Sequence, residues 1–121
     1  MGKLILVVED QEDNRRILRD LLTSADYDLV EAGNGEEALV AMTKGRPDLI
    51  LMDIQLPVMD GYEATRRIKA DPASASIPII AVTSYALSGD EAKARAAGCD
   101  DFVPKPYSPR QLLAKIRKYL P

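Results

Sequence analysis

The sequence contains no histidine. That absence removes Ser-His and Cys-His nucleophile pairs, imidazole-ligated zinc and imidazole acid–base chemistry. Chemistry here must rest on carboxylates, hydroxyls, lysines and a hard metal ion. Cysteine is nearly absent too. Cys99 stands alone, so no intramolecular disulfide can form, and a reducing, cytoplasmic setting fits. No apolar run approaches the roughly 20 residues needed to span a bilayer. The first apolar run, Leu4–Val8, is closed by Glu9-Asp10 and is too short for a signal peptide. Basic charge is not in excess either: the net charge of −3 disfavours nucleic-acid binding by the domain as a whole.

What is present suffices for one domain. The 121 residues are 46% hydrophobic and 29% charged, and domains typically run to about 100–150 residues. A single unit over 1–121 with no output domain is the expectation. Continuous apolar runs at Leu4–Val8, Leu49–Met52 and Ile77–Val82 suit strands buried on both faces. Leu29–Ala32 and Asp101–Val103 are shorter and more polar, and read as edge strands.

The segments between them read as helices. Asn34/Glu37, Asp60/Glu63, Ser88/Glu91 and Ser108/Gln111 each resemble a capping box. Pro109 fits a first helical position, and Gly45 and Gly98 fall where helices should end. Ile17, Leu18, Leu21 and Leu22 make an apolar stripe on the first helix. Leu112, Leu113, Ile116 and Leu120 make one on the fifth, while the helix near 89–97 is alanine-rich and weakly amphipathic.

Alternating βαβ units predict a parallel sheet with right-handed crossovers and helices on both faces. Sites in such sheets lie beyond the carboxyl ends of the strands, where strand order reverses. Glu9 and Asp10 follow strand one, Asp53 ends strand three, Thr83 ends strand four and Lys105 lies just past strand five. Each alone has a duller reading: a solvated cap, a strand end, a β-branched filler, a loop lysine. Their convergence on one edge is what argues for a site. Three carboxylates there repel one another and call for a cation, and Mg²⁺ suits one or two direct carboxylates with retained waters. A carboxylate beside such an ion can attack a phosphoryl group. Lys105 and the Thr83 hydroxyl could then serve the transferred oxygens.

These stretches resemble the receiver domain of two-component response regulators over essentially the whole chain. They are Val7-Val8-Glu9-Asp10, the run from Asp48 through Asp53-Ile54-Gln55-Leu56-Pro57-Val58-Met59-Asp60 to Gly61, Ala81-Val82-Thr83-Ser84, and Lys105-Pro106. The resemblance implies a flavodoxin-like, doubly wound (βα)5 sandwich with parallel strand order 2-1-3-4-5. It implies Asp53 as phosphoacceptor, Asp10 as the direct metal carboxylate, and Glu9 as the acid on metal-bound water. The Gln55 backbone carbonyl would be the third protein ligand to Mg²⁺ (or Mn²⁺). Thr83 and Lys105 would contact the phosphoryl group, and Phe102 would be the aromatic switch. Gln55 and Tyr85 occupy the positions that tune phosphoryl lifetime, and Lys105–Pro106 would be cis.

The same resemblance implies a histidine kinase or histidine phosphotransfer protein as donor, and a switch rather than an enzyme acting on external substrates. Its layout is similar to stand-alone receivers of the chemotaxis and cell-division types. The message would pass by protein contact through the face made by the fourth helix, fifth strand and fifth helix, without membrane or nucleic acid. Two other readings stay open: a phosphatase or phosphotransferase with an aspartyl-phosphate intermediate, and a receiver that signals without phosphorylation. For Lys115, Arg117 and Lys118, complementing the last helix's dipole competes with forming a partner patch with Arg110.

Overall fold

Each apolar run becomes a strand, and each periodic segment a helix. The computed structural model describes residues 2–83 and 90–121, Asp90 through its backbone alone. Tyr85 and the pair Ser88/Glu91 therefore fall outside or partly outside the described residues. In chain order the elements are β1 (Leu4–Val8), α1 (Glu12–Ser24), β2 (Asp28–Ala32), α2 (Gly35–Lys44) and β3 (Leu49–Asp53). Next come α3 (Gly61–Ala70), β4 (Ile79–Thr83), α4 (Asp90–Ala97), β5 (Asp101–Pro104) and α5 (Pro109–Tyr119).

The five strands form one parallel sheet in the order β2-β1-β3-β4-β5, the flavodoxin-like order expected. Successive strand residues point to opposite faces, so the sheet divides two cores. Ile5, Val7, Leu49, Leu51, Ile80 and Val103 meet Leu18 and Leu22 of α1 and Leu112 and Ile116 of α5. Leu6, Val8, Ile50, Met52, Ile79 and Ala81 meet Ala38 of α2, Ala64 and Ile68 of α3, and Ala94 of α4. β3 and β4 are buried at every position, whereas β2 is partly exposed, as its edge place requires.

Three features differ from the sequence expectation. Among the described residues only Ser108/Gln111 closes a full capping box. Asn34 accepts from the Glu37 N–H, but Glu37 reaches back to the N–H of Gly33 instead of Asn34. Asp60 caps Glu63 likewise, while the Glu63 carboxylate pairs with Arg66 and Arg67. Second, Ile17 is 60% exposed: at 100° per residue it lies well round the helix from Leu18 and Leu22. Third, Lys115 and Lys118 turn to the buried Asp101 at 2.8 and 3.8 Å, and Tyr119 Oη donates to the same carboxylate. Burial alone would raise the Asp101 pKa, but Lys115 and the Phe102 N–H hold it below the usual range. The basic end of α5 is thus partly a tether to β5. Gly98 closes α4 at a φ of 110°, where a side chain is strained and would meet Lys69.

The placement of Ile17 sets a clear expectation. Leu18→Ala should cost about 2–5 kcal/mol as a core truncation. Ile17→Ser should stay within about 0.5 kcal/mol of the parent, as exposed substitutions do. Urea unfolding followed by circular dichroism measures both.

Candidate functional site

At the end of β1 the chain makes one more sheet bond, Glu9 N–H to the Ala32 carbonyl, and then turns. Every polar group of Glu9 is spoken for. Its carbonyl accepts from Arg15 Nη1 at 2.7 Å, and its Oε2 accepts from the Gln11 N–H at 2.9 Å. Gln11 is the N-cap of α1 and its side chain makes no capping bond; that side chain reaches Asp10 Oδ2 at 3.4 Å instead.

Asp53 closes β3 and is 5% exposed. Its Oδ1 accepts from the Gln55 N–H at 3.0 Å, and its Oδ2 from Lys105 Nζ at 3.1 Å. The same ammonium reaches Glu9 Oε1 at 3.0 Å. Lys105 is aimed by its own backbone: its N–H donates to the Thr83 carbonyl, and the Lys105–Pro106 bond is cis. Burial alone would lower the Lys105 pKa, but Glu9 and Asp53 outweigh it and raise it above the ordinary lysine value. Thr83 is buried at the end of β4, and half-buried Phe102 packs against the core on the α2–α3–α4 side of the sheet.

Glu9, Asp10 and Asp53 offer carboxylate oxygens that all lie within 4.8 Å of one another, with Asp10 the most open to solvent. At that spacing two unit charges repel by about 3 kcal/mol at an effective dielectric of ~20. The Lys105 ammonium meets two of the three carboxylates. The donor set is all hard oxygen, so it fits a hard divalent cation and no soft one. Beside it an open pocket of about 290 Å³ is lined by Gln55, Tyr62, Thr83 and Lys93 among others. Gln55 Nε2 is buried there without a hydrogen-bond partner among the described residues.

The loop after Asp53 folds back tightly. The Gly61 N–H returns to the Ile54 carbonyl, and Met59 N–H to Pro57. A Cβ on Gly61 would run into the Asp53 carbonyl and the Ile54 Cα. Val58 sits in the left-handed region at a φ of 68° and is 75% exposed, a strained conformation for a β-branched residue. The Met59 carbonyl is held by the Gly35 N–H of α2.

Six of the residues singled out from sequence are thus described at one edge: Glu9, Asp10, Asp53, Gln55, Thr83 and Lys105. Phe102 stands one strand over, and Tyr85 lies outside the described residues. Gln11 and Arg15 were not singled out. Gln11 could have been, since it directly follows the acidic pair and precedes a helix. Arg15 offers no such signal, because its contact depends on how α1 docks.

A family model for the response regulator receiver domain matches residues 5–117. The polar-differentiation response regulator DivK of Brucella anthropi is 43% identical over 120 residues, 99% of this chain and 98% of that protein. A putative response regulator from Chloroflexus aurantiacus superposes with a TM-score of 0.95 at 29% identity, covering 99% of this chain and 98% of that one. The receiver domain of a sensor histidine kinase from Pseudomonas aeruginosa, solved with magnesium coordinated in its active-site cleft, gives 0.92 at 37% identity. The coverage is again 99% and 98%.

The crowding sets two expected outcomes. In chelator, Asp53→Asn should raise stability by about 1–2 kcal/mol, because one repelling charge goes while the Gln55 N–H keeps an acceptor. Thermal unfolding with and without Mg²⁺ measures it, and a destabilised variant in chelator would contradict the repulsion. Removing Lys105 should have the opposite effect. A lysine raised in the folded state gives stability that is full below the unfolded lysine value and lost as pH rises through the folded one. The stability gap between parent and Lys105→Met should therefore be flat from about pH 7 to 9 and close above about pH 10.4.

Proposed function

The chain belongs to the response regulator receiver domain family, and from that membership we propose that a phosphohistidine donor transfers its phosphoryl group to Asp53. Phosphotransfer with Mg²⁺ is standard for this family. The observation that carries the assignment to Asp53 is its two-sided clamp: Oδ1 on the Gln55 N–H and Oδ2 on Lys105 Nζ.

In this reading a carboxylate oxygen of Asp53 attacks phosphorus, the P–N bond breaks, and the electron pair leaves with the donor imidazole. Lys105 loses its Asp53 partner if that oxygen becomes the bridging oxygen of the acyl phosphate, and its flexible stem lets the ammonium follow the phosphoryl oxygens. The Thr83 hydroxyl, at the adjoining strand end, turns to another of those oxygens. Glu9, Asp10, Asp53 and the Gln55 carbonyl would hold Mg²⁺, or Mn²⁺, which neutralises the carboxylates and the charge building on the transferred oxygens. Gln55 and Tyr85 would set the lifetime of the acyl phosphate.

Thr83 and Phe102 lie on neighbouring strands, with Phe102 in register with Ala81, two residues before Thr83. Movement of Thr83 toward the phosphate would vacate space for the Phe102 ring. The face of α4, β5 and α5 would thereby change and meet a downstream protein. Exposed Arg110 and Arg117 are the cations that α5 offers for that contact, since Lys115 and Lys118 engage Asp101. The donor is a histidine kinase or a histidine phosphotransfer protein, as this chain has no histidine of its own. The DivK relatives are matched over 98% of their length, which supports residues 1–121 as one receiver unit of the cell-division type. It would catalyse only its own phosphorylation and dephosphorylation. No helix among the described residues is long and apolar enough to cross a membrane, in keeping with a proposed cytoplasmic setting.

Incubated with Mg²⁺ and a small phosphodonor, the parent should gain one phosphoryl group by intact mass, and Asp53→Asn none. Lys105→Met should slow the gain by about 10²–10³-fold, as loss of one transition-state donor does. Phosphorylation of Asp53→Asn at the parental rate would place the acceptor elsewhere.

A further inference from the structure

We propose that Arg15 is a positioning residue for the metal-binding acids: it pins the main chain at Glu9 so that the Glu9–Asp10 turn stays against Asp53. The inference rests on the metal site proposed above and adds a residue to it.

Arg15 lies on α1, and its side chain is only 20% exposed. Its guanidinium is divided among three acceptors. Nη2 meets Glu12 Oε2 at 2.6 Å, Nε meets Glu31 Oε1 of β2 at 3.4 Å, and Nη1 donates to the Glu9 carbonyl at 2.7 Å. Arg19 grips the same Glu31 carboxylate with two bonds, at 2.6 and 2.7 Å, and touches Glu12. Residue 33 beside this fork is glycine, and a Cβ there would crowd Nη1 at 3.3 Å.

The pairs made by the more exposed Glu12 contribute little stability by themselves. The network does something more specific. Glu12, Arg19 and Glu31 fix the guanidinium plane so that Nη1, the one nitrogen they leave, falls on the first carbonyl past β1. That carbonyl lies beyond the last residue of β1, at the point where the repelling carboxylates would otherwise push the turn outward. A hydrogen bond from a charged donor is worth about 1.5–3 kcal/mol, comparable with one carboxylate–carboxylate repulsion.

Charge and position make opposite predictions, so the proposal is testable. A cation near the site opposes binding of a second cation, and removing it by charge alone would tighten Mg²⁺. If Arg15 positions the acids, Arg15→Gln weakens Mg²⁺ instead, by about tenfold, the scale of losses when an outer partner of a metal ligand is removed. Calorimetric Mg²⁺ titration of the unphosphorylated protein gives the affinity directly. Arg16→Gln, the same charge change at an exposed pair with Asp13 on the same helix, should leave it unchanged. Arg15→Lys, which keeps charge but not the fork, should fall between parent and Arg15→Gln, and it serves should Arg15→Gln not fold. Equal or tighter Mg²⁺ binding by a folded Arg15→Gln or Arg15→Lys overturns the proposal. Failure of the parent to bind Mg²⁺ overturns the metal site itself, a distinct result.

Discussion

Three carboxylates crowded within 4.8 Å of one another, two of them joined by one lysine, are the constraint around which this molecule is arranged. Left to themselves, Glu9, Asp10 and Asp53 would move apart, and the sheet prevents it. β1 and β3 are hydrogen-bonded neighbours, with Val8 level with Met52, so Glu9, just past β1, and Asp53, the last residue of β3, must emerge side by side. Strand order reverses between β1 and β3, where the connections diverge to opposite faces and leave a crevice. The crowding is thus enforced by a core of fully buried apolar side chains, and the energy to hold the acids together comes from burial far from them.

That arrangement is a stored instability. The site favours whatever brings positive charge or removes a negative one, and Lys105 is the resident answer to only part of the need. It comes from the far edge of the sheet, just past β5, and its backbone is tied to Thr83. Any event that alters the charge between Glu9 and Asp53 therefore alters the balance of forces on β4 and β5 together. The connection needs no long pathway, because Lys105 itself touches both the acids and the end of β4.

Much of this was legible because the rules involved are coarse. Apolar runs of four to six residues gave the three central strands, and a charged residue at the carboxyl end of a buried strand stands out whatever the distance to its partner. Lys105 and Asp53 are 52 positions apart, yet both mark strand ends. What could not be read is what depends on rotation and reach. Ile17 belongs to the apolar stripe by spacing and is exposed because α1 docks through Leu18 and Leu22. Glu37 and Glu63 sit at the right offset for capping boxes, but one finds Gly33 and the other two arginines. Lys115 and Lys118 have the spacing of dipole partners, yet Asp101 is buried beneath them and takes both. In each case the local signal was correct about the element and silent about which of several near-equal partners a long side chain would take.

The same limit bears on where selectivity among receivers of one fold can reside. The acids and the lysine are dictated by the sheet and by the chemistry, and leave little to vary. The groups that hold them are free to differ, because a turn can be pinned by any donor of the right length. In this chain the acidic turn is held from α1 and its N-cap, through Arg15 and the Gln11 N–H, and from β2 through the Ala32 carbonyl. The loop after Asp53 is held from α2, through the Gly35 N–H on Met59. Elements that carry no reacting atom thus determine how firmly the acids meet, and with it how strongly the site draws a cation.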